Sequence, residues 1–80
     1  MMTHEEAIKG IIAYCKETIE DYQVRADLAV SKSWRGRIPI ENADFILADQ
    51  IADRIDEWCT DNDCPTLADD ITIMDIIFNE

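Results

Sequence analysis

Apolar or small side chains recur at Ile8, Ile12, Cys15, Ile19, Tyr22, Ala26 and Ala29, at spacings that alternate between four and three residues. That is the period of a helix packed along one seam. Thr3 followed by Glu6 makes a capping box at its start, with Met2 and Ala7 as a hydrophobic staple. The spacing predicts a helix from about residue 4 to about residue 30. Gly10 is its weak point, costing about 1 kcal/mol against Ala. At 1.5 Å per residue such a helix would reach ~40 Å, longer than a domain of this size is wide, so it must kink or project onto a partner.

Eighty residues fit one domain, 1–80, with a thin core. With only two Gly and two Pro there is little turn punctuation, which favours a few long helices over many short strands. An apolar content of 48% argues against disorder. No apolar run approaches the ~18–20 residues of a membrane span, and no basic leader precedes an apolar one, so a soluble chain that stays where it is made is expected.

The segment Ser31–Pro39 is basic and carries Gly36 and Pro39, and reads as a linker. Trp34, between Lys32 and Arg35, has the composition of a binding anchor, so Trp34 and Arg35 are candidate partner contacts. The favoured reading folds the ring back over the open end of the core. Arg35 and Arg37 are also candidates to pair with the acidic second half. Asn42 is a good N-cap for a second helix, about 42–61. On its wheel Leu47, Ile51, Ile55 and Trp58 share one side, flanked by Ala48 and Cys59, while Asp49, Asp53, Asp56 and Glu57 share the other. Phe45 and Ile46 fall on or beside the acidic side and must be covered or touch a partner.

Thr66 and Asp69 suggest a second capping box and a third helix over 67–78, with Leu67, Ile71, Met74 and Phe78 on one stripe. The run Ile71–Phe78 would suit a β-strand by composition, but no second strand exists to pair with it. The expected fold is therefore all-α: a long first helix, an acidic second and a short apolar third. Ile73, Ile76 and Ile77 extend the apolar surface of the last segment further than a thin core can cover. Together with the overlong first helix, this predicts a homodimer.

Charge is divided unequally. Residues 1–40 hold six acids and six bases, whereas residues 41–80 hold twelve acids against Arg54 alone, which accounts for the net −11. Such a field repels nucleic acid and membrane surfaces and steers toward basic protein surfaces. The candidate contact surface is Asp49, Asp53, Asp56 and Glu57, with Asp61, Asp63, Asp69 and Asp70 nearby.

Catalytic patterns are missing. His4 is the single histidine, and no Gly-rich phosphate loop or metalloprotease helix occurs. Asp61-Asn62-Asp63 begins like a calcium loop, but Thr72 stands where the bidentate Glu is needed. Cys15, Cys59 and Cys64 are too few and odd in number for a disulfide scaffold, which points to a reducing cytoplasm. Four zinc ligands exist on paper with His4, but the Cys59–Cys64 spacing is too wide for a knuckle. Small buried thiols, no metal, no cofactor and no enzyme activity are expected.

In size, acidity, helix content and lack of a catalytic constellation, the chain resembles small phage-encoded inhibitors of host defence nucleases, the anti-CRISPR and anti-restriction proteins. The stretch Met2-Thr3-His4-Glu5-Glu6-Ala7-Ile8-Lys9 also looks like the opening of short phage reading frames. The resemblance implies a non-enzymatic inhibitor in the bacterial host cytoplasm. Its acidic side chains would occupy the nucleic-acid-binding surface of a basic protein, such as a CRISPR effector or restriction enzyme. The alternative is a homodimerising adaptor whose acidity serves solubility alone.

Overall fold

A computed structural model describes residues 2–36 and 43–78, the side chains of 33–36 excepted. Among the described residues the regular structure is helical throughout, in the order α1 (His4–Thr18), α2 (Tyr22–Gly36), α3 (Phe45–Asp61), a 3₁₀ turn (Pro65–Asp69) and α4 (Ile73–Ile77). The all-α expectation holds.

α1 begins as its sequence requires. The Thr3 hydroxyl accepts from the Glu6 N–H at 3.1 Å and donates to the Glu6 carboxylate at 3.0 Å. Its buried face, Ala7, Ile8, Ile11, Ile12 and Cys15, lies against α3. The long helix over 4–30 does not form, because the chain breaks between Thr18 and Tyr22. The Ile19 N–H closes the last turn on the Cys15 carbonyl, and Asp21 takes a left-handed φ of 56°. The Thr18 hydroxyl bonds back to the Tyr14 carbonyl at 2.8 Å while accepting from Arg54 Nε at 2.7 Å. Arg54 Nη2 also reaches the Thr18 carbonyl at 3.4 Å, placing a cation at the C-terminus of α1. The seam survives the break: Ile19, Tyr22, Ala26 and Ala29 are all buried.

α3 is capped by Asp44, whose carboxylate accepts from the Leu47 N–H at 3.0 Å. The expected cap, Asn42, lies outside the described residues. Leu47, Ala48, Ile51, Ile55 and Cys59 are buried, and Trp58 is half-buried beside them. Among the described residues the core contains no buried charged side chain, and Tyr22 brings a buried hydroxyl into it.

The helix expected over 67–78 is divided in two. Pro65 opens a 3₁₀ turn rather than an α-helix, and no side chain caps it. The capping box forms six residues later, at Thr72 and Asp75, with both reciprocal bonds made (3.2 and 3.0 Å). This restart shifts the register. Ile76 and Ile77 turn into the core with Ile71, whereas Met74 and Phe78, expected on the buried stripe, are 46% and 45% exposed.

At Gly10 the Trp58 ring of α3 lies directly on α1. A Cβ there would lie 2.2 Å from the Trp58 ring carbon Cζ2. Propensity alone would make Gly10→Ala stabilising by about 1 kcal/mol. Overpacking of this kind costs ~1–3 kcal/mol, so the substitution is expected to leave stability unchanged or lower it, as measured by urea unfolding. A stabilisation approaching the propensity gain would show that the ring is free to move aside.

Candidate protein-binding surface

Because the buried stripe of α3 faces α1, the opposite face is turned to solvent. Asp49, Asp53, Asp56 and Glu57 are all exposed there, and Asp49, Asp53 and Asp56 stand on successive turns. Asp61 closes α3, and Asp63 follows in a left-handed turn with φ of 59°. Asp69 and Asp70 end the 3₁₀ turn, and these four carboxylates are exposed too.

The eight acidic candidates differ in one respect. Glu57 accepts from the Tyr14 hydroxyl at 2.8 Å and lies 3.6 Å from Arg54 Nη1, so it ties α3 to α1. The hydrogen bond to the Glu57 carboxylate raises the Tyr14 phenol above its ordinary pKa, with desolvation acting in the same direction. Arg54, the single base of the acidic half, is turned toward α1 and leaves the outer carboxylates without a cation from its own helix.

Phe45 and Ile46 stand within this face at 67% and 56% exposure, uncovered by any described element. Trp34 and Arg35 belong by their backbone to the last turn of α2, while their side chains lie outside the described residues, as does Arg37. The arginine that does reach the acidic half is Arg25. It donates to Gln50 at 2.9 Å and lies 3.6 Å from Asp44.

Sequence reasoning missed two surface features. Val24 and Leu28 form an exposed apolar pair on α2, legible only as i,i+4 neighbours that fall off the seam. The second is a groove of about 320 Å³ between α3 and the C-terminal segment, lined by Ala52, Ile55, Asp56, Ala68, Ile71, Thr72, Ile73 and Met74. Its one carboxylate, Asp56, also borders an acidic hollow of about 290 Å³ with Glu57, Thr60 and Asp61. No described helix is long and apolar enough to cross a membrane. The chain matches no family model, no curated protein and no solved structure.

The three cysteines carry free thiols. Cys15 and Cys59 are buried and Cys64 is half-buried. Burial pushes the Cys15 thiol up to about 11, and burial together with the neighbouring Cys64 thiol does the same at Cys59. A thiol pKa raised on folding adds stability that is complete below the unfolded value of 9.0 and is lost as pH climbs to about 11. Unfolding free energy should therefore fall across that window. An aromatic disulfide reagent at neutral pH should label Cys64 first, with Cys15 and Cys59 reacting only after denaturation. Equal labelling rates at all three positions would contradict the burial assignment.

Proposed function

We propose that the protein is a non-enzymatic inhibitor whose acidic face occupies the basic nucleic-acid-binding surface of a host defence nuclease, in the manner of anti-CRISPR or anti-restriction proteins. The supporting observation is the set of exposed carboxylates on and after α3, from Asp49 to Asp70, with Arg54 drawn away toward α1. A field of one sign accelerates encounter with a basic surface and fixes its orientation. It acts by occupancy, and the nucleic acid that the surface normally holds is displaced without chemistry.

The exposed pairs Val24/Leu28 and Met74/Phe78 favour a second reading, a homodimerising adaptor. Light scattering separates the two. A stable dimer that retains no basic partner supports the adaptor, and a monomer removes it.

Replacing Asp49, Asp53 and Asp56 together by Asn should leave the domain folded, or stabilise it by a few tenths of a kcal/mol through relief of like-charge repulsion. The same variant should associate on the order of tenfold more slowly with a nuclease captured from bacterial lysate, and with a flatter salt dependence. Duplex DNA should compete with the wild-type protein for that nuclease. An unchanged association rate across the salt range would reduce the acidic face to a solubility device.

A further inference from the structure

We propose that the groove between α3 and the C-terminal segment receives one cationic amphipathic helix of the partner protein. This rests on the reading of the acidic face as a binding surface, and names what that surface takes. The floor is apolar: Ala52 and Ile55 from α3, Ala68 and Ile71 from the 3₁₀ turn and its exit, and Ile73 and Met74 from α4. Met74 is nearly half exposed on this floor. Phe45, two helical turns before Ala52 on the same side of α3, extends the apolar strip beyond the groove. From Phe45 to Asp56 the strip runs for about 16 Å, or three turns, which suits anchors at i, i+3 or i+4, and i+7 of a partner helix.

The rim decides the occupant. Asp56 borders the groove, Asp49 and Asp53 stand along α3 toward Phe45, and Asp69 and Asp70 sit beside Ala68 and Ile71. Among the described residues no lysine or arginine lines it, and Arg54 points to Thr18 at the end of α1. An apolar floor bordered by uncompensated carboxylates matches a helix with aliphatic residues on one face and Lys or Arg on its flanks. A second copy of this chain is the poorer match, because each copy carries −11 and its exposed Lys9 and Lys16 on α1 are interspersed with Glu5, Glu6 and Glu17. An anionic membrane is repelled for the same reason.

The probe is a fluorescent Leu/Lys peptide of about 14 residues, four helical turns, followed by anisotropy at low and moderate salt. A control peptide keeps every Lys and replaces every Leu by Ser. The wild-type protein should bind the Leu/Lys peptide at least about tenfold tighter than the control. Met74→Lys alters an exposed position on the floor, so the fold should persist by circular dichroism while affinity for the Leu/Lys peptide falls by about tenfold. Val24→Lys, which adds the same charge on α2, should bind as wild type.

Equal binding of both peptides, with Met74→Lys no worse than Val24→Lys, would overturn the groove assignment and leave the acidic face standing. Failure of both peptides to bind at low salt would overturn both. A wild-type dimer that Met74→Lys dissociates would assign the groove to a second copy instead.

Discussion

The apolar stripe of α1 lies against the apolar stripe of α3, and the other elements are built onto that pair. Ile11 from α1 and Leu47 and Ile51 from α3 are fully buried, and each contributes about 1.5–3 kcal/mol by leaving water. Gly10 lets the Trp58 ring settle on α1, so the absence of a side chain at one position admits the largest side chain of the other helix. α4 contacts both helices and adds Ile76, also fully buried. α2 has a lighter attachment. Among its described residues the buried side chains are Tyr22 and the small Ala26 and Ala29, and Arg25 supplies a polar tie to α3 through Gln50 and Asp44. Because the core is thin and holds no buried charge among the described residues, its stability comes from fit rather than from buried ionic networks.

What was legible in the sequence was periodicity. All seven seam residues from Ile8 to Ala29 are buried, and the two sides of α3 separate as its wheel predicts. What was not legible depends on contacts distant in sequence or on backbone conformations without a residue signature. The end of α1 is held by Arg54, thirty-six residues away, and by a left-handed Asp21 that could equally have been an ordinary helical residue. The pattern Thr-x-x-Asp occurs at Thr66–Asp69 and again at Thr72–Asp75, and sequence offers no ground for choosing between them. In the structure the segment from Pro65 forms a 3₁₀ turn with no side-chain cap, and the second box then resets which apolar residues face inward. The acidic residues were found by count and wheel position. The groove beside them was hidden because its two walls come from α3 and from a turn whose placement follows that reset.

Fold and surface use the charges of this chain differently. Among the described residues two ion pairs are formed at partly exposed sites: Arg25 with Asp44 joins α2 to the start of α3, and Arg54 with Glu57 lies within α3. Pairs of this kind contribute at most about 1 kcal/mol each. The outer carboxylates of α3 and the following turns take no part in them. They repel one another across the surface, and so oppose folding slightly.

That separation can be measured on the isolated protein. If the acidic face is uncompensated, modest NaCl screens its self-repulsion more than it weakens the two ion pairs. The urea midpoint should then rise as salt is added from a low-ionic-strength buffer, with the unfolding slope unchanged. A midpoint that stays constant or falls over that range would mean that the carboxylates are already balanced within the fold, contradicting the proposal that they form an uncompensated surface for a partner.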